Sequence, residues 1–527
     1  LRFKKSHLIH GLFATVVSAF AFAATATAAT PVPPAVQTAI DTMRSKPAYV
    51  HSNFGLSVVD RDTGEVLIED NPLALFTTGS IMKTFTASAT LSRLGPDYRF
   101  RTPVYRRGKV SRGTLRGNLV MVASGDYSFG LRDRPDGTMG YNSTPQIDHS
   151  YADTGLPGPT LLQGSNPLRA VNSIAGQIRK SGIRRVTGDV AVDDRLFRSF
   201  TGWPDGRISP AWINENLIDA QARPTRAGKR AKVVWRPKTP MYRVVNRTRT
   251  GPKGSATTLK LAPPKNGRLI LSGRIAADSP PILQNVQVPN PSGLMRSALI
   301  DALRRKGVRV MAPAAGPNPR RLLPGSTVMK SGRQVGVYRS LPLARTVKVI
   351  LKVSANRGAD LLACMAAVDR GSRDCEDGLT TLIENNDALG VPANTTFAFD
   401  GAGSNDMDRT SPVAATTMLR NVLGTPYGSA IYDGLPILGV DGTFRQTGLD
   451  SPAKGKIRAK SGNRVGAITG SYGLVGAQTR IGYMTTEGGR NLVYADLVNN
   501  VPFKSPLEIF NIDTDMTAVE TAIQQGY

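Results

Sequence analysis

"TTGSIMKTFTASATL", residues 77–91, is the stretch on which the fold turns. It sets Ser80 and Lys83 three residues apart at the start of an apolar helical run that reaches Leu94. On a helix, positions i and i+3 share a face with Cβ atoms ~5–6 Å apart, so the amine can reach the hydroxyl. A helix N-terminus adds partial positive charge and free N–H groups beside the serine. A nucleophile and its base then arise without histidine, provided burial keeps the amine neutral. The same residues equally suit a serine that only caps a helix. S-x-x-K also recurs at Ser451–Lys454, in a Pro/Gly/Lys loop where no helix imposes the geometry.

Two later motifs separate these readings. Ser354-Ala355-Asn356 opens a helical run, and Lys460-Ser461-Gly462 precedes a strong strand pattern. S-x-x-K, S-x-N and K-[ST]-G in that order form the signature of penicillin-interacting serine enzymes. A second K-S-G, Lys330-Ser331-Gly332, comes before S-x-N in a polar loop and is set aside. Past residue 28 only His51 and His149 remain, and no H-E-x-x-H, Cys/His cluster or G-x-S-x-G occurs. Zinc and Ser-His-Asp schemes therefore have no support, and no metal or cofactor is expected.

Around these motifs the patterns change twice. Residues 53–76 read as a hairpin about an "RDTG" turn. From about residue 104, short strand-like pieces alternate with Gly/Pro-rich loops. "PSGLMRSALIDALRRKGVRV" (291–310) is an amphipathic helix ending at Gly307. Long helical patterns return after 340, then strands, then a closing helix "MTAVETAIQQ". Strands at both ends with helices between predict one α+β domain split by an insertion.

The formal charge is +28 over 527 residues, and residues 221–277 hold fifteen Lys or Arg with no Asp or Glu. Such a block favours an anionic wall polymer or an anionic lipid surface, or is simply a solvated face. Residues 1–28 read as an export signal: Arg2, Lys4 and Lys5, an apolar Ala-rich core, and Ala26-Thr27-Ala28 as the cleavage site. A retained membrane anchor is the alternative. Export places the protein in the periplasm or at the outer face of the cytoplasmic membrane, argues against nucleic acid as a partner, and permits a disulfide between its two cysteines, Cys364 and Cys375.

The resemblance extends beyond three motifs. "TTGSIMKTFTASATLSRLGPDYRFRT", "GDVAVDDRLF", "LKVSANRGADLLACMAA", "LPILGVDGTFR" and "IRAKSGNRVGAITGSYGLV" resemble successive blocks of the D-alanyl-D-alanine carboxypeptidase/endopeptidase family, the class C low-molecular-weight penicillin-binding proteins. This implies a penicillin-binding, serine β-lactamase-like fold in two parts, 29–103 and 341–527. The inserted domains would occupy 104–340, with a nested basic module near 206–277. It implies that Ser80 attacks D-Ala-D-Ala of peptidoglycan stem peptides, that Lys83 takes its proton, and that β-lactams acylate the same serine. Ser354 and Asn356 would relay the proton and hold the substrate amide. Lys460, Ser461 and Gly462 would receive the carboxylate, with backbone N–H groups of Ser80 and Asn463 as the oxyanion hole.

The chain departs from the family pattern in three places. The third motif reads Lys-Ser-Gly-Asn where the family has K-T-G-T; Ala355 replaces the usual aspartate of S-D-N; and "DGAGSNDMDRTS" (400–411) differs from the usual "DGSGLSR". Two other readings remain: a wall-binding protein on the same scaffold with little or no turnover, and a serine β-lactamase, for which the chain is nearly twice the needed length.

Overall fold

The two ends of the chain meet in one sheet. This computed structural model describes residues 31–142, 148–152, 158–202, 206–323, 325, 333–469 and 472–527. Strand Asn53–Asp60 lies between its hairpin partner Val66–Asp70 and Asn491–Asn499 from the far end of the chain. The order continues through Tyr472–Thr485 to Ile457–Thr469, with Val501–Phe503 beside Tyr472–Thr485. The expected α+β class is the one observed. The export signal and the Lys330-Ser331-Gly332 copy lie outside the described residues.

Side chains alternate faces along a strand. On Asn491–Asn499, Val493, Ala495 and Leu497 enter one apolar core, while Leu492, Tyr494 and Val498 enter another. A strand apolar on both faces must be covered twice. Helices Pro34–Arg44 and Pro506–Gly526 close one side with Val36, Ile40, Ile512, Met516 and Ile523. Helices Met82–Leu94 and Pro412–Val422 contribute Phe85, Leu91, Met418 and Leu419 to the other core. The closing helix is longer than expected, because Ser505 caps Leu507 N and Pro506 occupies the first turn, where a missing N–H costs nothing.

Between the two halves, a second sheet runs Arg309–Val310, Arg185–Val186, Thr114–Val122, Arg101–Ser111, Arg333–Arg339, with Val190–Asp193 beside Thr114–Val122. The basic stretch is β-rich as expected, in two three-stranded sheets built from residues 217–287. Its fifteen cations are exposed except Arg236, which is partly buried on Asp219. Cys364 and Cys375 are bonded, tying helix Asn356–Asp369 to the start of Asp377–Ala388. Among the described residues, no helix is long and apolar enough to cross a membrane.

Candidate active site

Ser80 sits in a single 3₁₀ turn, Gly79–Ile81, that runs directly into helix Met82–Leu94. It is not the helix cap: neither the turn nor the helix has a side-chain cap bond. The turn leaves Ser80 half-buried, while Lys83 is fully buried one helical step on. Lys83 Nζ lies 2.6 Å from Ser80 Oγ and 2.6 Å from the Ala402 carbonyl. That carbonyl is presented by a loop the sequence marked only as a departure. Asp400 Oδ1 accepts from the N–H groups of Ala402 (2.8 Å), Gly403 (2.6 Å) and Ser404 (3.2 Å) and so curls the chain around itself. Asp408 closes the loop by accepting from Phe399 N at 2.7 Å. Burial, and then the charge of Asp400, pushes the Asp408 carboxyl up to about 7.

The third motif meets this turn backbone to backbone. Lys460-Ser461-Gly462 does not precede the strand, as the sequence pattern suggested; it lies within Ile457–Thr469. A Cβ on Gly462 would fall 2.8 Å from Ser80 N and 2.4 Å from the Thr78 carbonyl. A Cβ on Gly79 would fall 2.8 Å from Asn463 N. Only glycine allows either approach, which brings the two candidate oxyanion donors, Ser80 N and Asn463 N, to one narrow gap. The Asn463 side chain points elsewhere: its amide donates to Gln478, directly opposite on the neighbouring strand. Lys460 is fully buried and donates to the Ser461 carbonyl at 2.6 Å. Burial first, and then the Lys83 charge, holds its amine well below the usual lysine range. The two buried amines repel each other, which disfavours a proton on Lys460 while Lys83 carries one.

The second motif also differs from the expected helix start. Ser354 ends helix Leu343–Val353 in the left-handed conformation (φ 59°), and Asn356 begins the next helix, Asn356–Asp369. Both helices pack on Met82–Leu94. Nothing in the sequence pattern marks what holds this corner. Tyr151 donates its hydroxyl proton to the Ser354 carbonyl, and Arg357 donates to the Ser150 carbonyl at 2.7 Å. Residues 149–151 form a turn that belongs to the inserted segment.

That turn rests on a buried charge cluster. Arg132 donates to Asp148 (2.8 and 3.0 Å) and to Glu215 (3.0 Å); Tyr127 donates to Glu215 at 2.8 Å. His149 lies 3.2 Å from Glu215 and 3.3 Å from Asp219, and Arg236 pairs with Asp219 at 2.8 Å. Burial alone would push the His149 pKa down, but Asp219 and Glu215 raise it to about 9. Burial would raise the carboxyls, yet Arg132 and His149 bring Glu215 down to about 2, and His149 and Arg236 bring Asp219 to about 2. Three cations thus face three carboxylates. Asp148, His149 and Glu215 offer atoms within 4.8 Å of one another, as a metal site would, but the Arg132 guanidinium already binds both carboxylates.

A last contact completes the surroundings of the third motif. Thr443 Oγ1 lies 3.3 Å from Ser461 Oγ. Its turn is fixed by Asp441, which accepts from Lys352 Nζ at 2.7 Å and from Ile437 N at 2.9 Å. Gly442 takes φ 61° there, and a Cβ on it would meet the Lys352 carbonyl at 2.7 Å. The buried Lys352 and Ser354 lie two residues apart, so one helix end braces both motifs.

A sheet flanked by helices, with a serine–lysine pair at a helix start and a K-S-G strand alongside, defines the penicillin-binding fold. The solved structure of penicillin binding protein 4 (dacB) from Haemophilus influenzae in complex with a β-lactam superposes with a TM-score of 0.64 at 19% identity, covering 93% of this chain and 99% of that one. The D-alanyl-D-alanine carboxypeptidase of Actinomadura sp. (strain R39) is 24% identical over 86% of this chain and 80% of its own length. D-alanyl-D-alanine carboxypeptidase DacB of Haemophilus influenzae is 22% identical over 85% of each chain. The sequence profile of the D-Ala-D-Ala carboxypeptidase 3 (S13) family matches residues 36–523. The chain belongs to that family and is a serine-type D-Ala-D-Ala carboxypeptidase.

Proposed function

We propose that Ser80 is the nucleophile of an exported D,D-carboxypeptidase/endopeptidase that acts on peptidoglycan stem peptides and is acylated by penicillin. The observation that carries this reading is the buried Lys83 amine 2.6 Å from Ser80 Oγ. Neutral Lys83 takes the hydroxyl proton as Ser80 Oγ bonds to the carbonyl carbon of the penultimate D-Ala. The developing oxyanion is received by the N–H groups of Ser80 and Asn463. As the C–N bond breaks, the proton passes through Ser354 to the leaving amine, and D-Ala departs. Water then attacks the acyl-enzyme, giving its proton to the same base and restoring Ser80. Asn356 holds the substrate amide. Lys460 and Ser461 hold the terminal carboxylate, and Gly462 keeps the gap open.

In this reading residues 29–103 and 341–527 form the catalytic part and 104–340 the insertion. The basic block 221–277, whose cations are nearly all exposed, holds the enzyme to an anionic wall polymer or lipid surface. Labelled penicillin tests the site. The intact chain should label covalently and Ser80→Ala should not, at unchanged melting temperature. Labelling of Ser80→Ala would remove Ser80 from the mechanism. Mass analysis of products from defined muropeptides separates the activities: loss of one alanine marks carboxypeptidase action, and split dimers mark endopeptidase action.

A further inference from the structure

We propose that the sheet of the inserted segment carries a second anion site, a cleft for a polymer of repeating phosphate groups, distinct from the basic block 221–277. The cleft has a volume of about 540 Å³ and is lined by Arg106, Arg107, Arg321 and Arg333, with Gly108 and Asn118. Among the described residues no carboxylate lines it. Among the described residues none of the four arginines makes an ion pair. The hydrogen bonds that Arg106 and Arg107 do make go to backbone carbonyls, of Gly108 and Leu322. A guanidinium has five N–H donors in a planar fork suited to phosphate. Most of those donors here have no protein acceptor.

The sheet beneath is arranged against its own stability. Arg106 stands directly opposite Arg333, Arg101 opposite Arg339, and Lys109 opposite Arg116. Like charges directly opposite on adjacent strands are destabilising. Strands Arg101–Ser111, Thr114–Val122 and Arg333–Arg339 contain no Asp or Glu that could offset them. Side chains alternate faces along a strand, so the Arg106–Arg333 pair stands on one face and the Arg101–Arg339 and Lys109–Arg116 pairs on the other. A polyanion in the cleft would relieve the Arg106–Arg333 pair. Four guanidiniums around about 540 Å³ are more than one phosphate can pair, which favours a chain of phosphates over a single ion. The arginines line a concavity, which a flexible polymer can enter and a flat bilayer cannot. Concave, single-sign clefts also focus field and concentrate counter-ions.

The test uses the full chain and fluorescein-labelled inorganic polyphosphate as probe, followed by anisotropy from low to physiological salt. Arg106→Gln/Arg107→Gln/Arg333→Gln should weaken binding at least tenfold and flatten the salt dependence by about one unit of slope per lost cation. Lys180→Gln/Lys306→Gln/Lys456→Gln, an equal charge loss at exposed positions outside both the cleft and the basic block, should change binding less than threefold. The cleft variant should also melt higher than wild type at low salt, and polyphosphate should raise the wild-type melting temperature more than the variant's. Equal losses in the two triple variants would overturn the proposal, as would phosphatidylglycerol vesicles or single-stranded DNA competing better than polyphosphate. Penicillin labelling of each variant reports independently. Labelling lost with polymer binding retained would count against the catalytic reading alone, and the reverse pattern against this one alone.

Discussion

Arg132→Met removes the one guanidinium that binds both Asp148 and Glu215, carboxylates no more than 1% exposed. In the native cluster Arg132, His149⁺ and Arg236 balance Asp148, Glu215 and Asp219. Methionine fills much of the volume but leaves one negative charge uncompensated in a dry site. Breaking a buried pair by deleting one partner costs about 3–5 kcal/mol, chiefly through the charge left behind. With a urea slope of about 3 kcal/mol per molar, the midpoint should fall by roughly 1–2 M. Trp212 offers a local signal, because its ring lies 5.5 Å from Tyr127, whose hydroxyl bonds Glu215. Urea titration followed by tryptophan fluorescence therefore reports on the cluster. The same variant should acylate more slowly with labelled penicillin while still folded, because the 149–151 turn that grips the Ser354 carbonyl rests on Asp148 and His149. Arg132→Lys keeps the charge but not the fork, and should fall between. A midpoint within 0.3 M of wild type (about 1 kcal/mol at that slope), together with unchanged acylation, would refute both the charge accounting and the link to the second motif.

Four further outcomes are expected. His149 has a pKa raised from 6.5 to about 9, so its contribution, about 3 kcal/mol at 1.36 per unit, is complete below pH 6.5 and is lost as pH rises through about 9; His149→Gln should flatten the decline in stability between those limits. Glu215 and Asp219, lowered to about 2, contribute above their ordinary values and lose that contribution as pH falls through about 2, which acid titration of the melting temperature would show. Thr443→Val should raise KM for substrates ending in a free carboxylate about tenfold, the value of one hydrogen bond to a charged group, and leave a C-terminal amide analogue less affected. Reducing the Cys364–Cys375 bond, which closes a short loop, should lower stability by about 2–3 kcal/mol in a thermal or urea assay.

Local chemistry was legible in the sequence wherever one segment carried the whole signal. The hairpin at 53–70, the helical run ending at Leu94 and the strand-rich character of the last part all follow from short-range patterns, whereas the Cys364–Cys375 bond is only permitted by them. Ser354 looks like a helix start in "SANRG", yet it ends the preceding helix in a left-handed conformation, which side-chain type marks clearly only for glycine. Lys460-Ser461-Gly462 was placed outside its strand because its polar residues break the apolar run. The cluster of Arg132, Asp148, His149, Glu215, Asp219 and Arg236 left no trace. Its members are scattered over a hundred residues of Gly/Pro-rich chain, where isolated charges look like solvated loop. Thr443 and Tyr151 were hidden for the same reason: each acts on a motif far away in the chain, and no spacing encodes that. The arginine pairs across strands 101–111 and 333–339 depend on a register between segments over two hundred residues apart.

The turn at 149–151 changes what counts as the smallest working enzyme. A shortened protein made by splicing residue 103 to 341 would keep the serine, both lysines, the sheet and all three motifs. It would also lack Tyr151 and the Ser150 carbonyl, the partners that hold Ser354 and Arg357. Residues 150 and 151 therefore brace the second motif from a distant part of the chain, and a change on either side of that contact bears on the other.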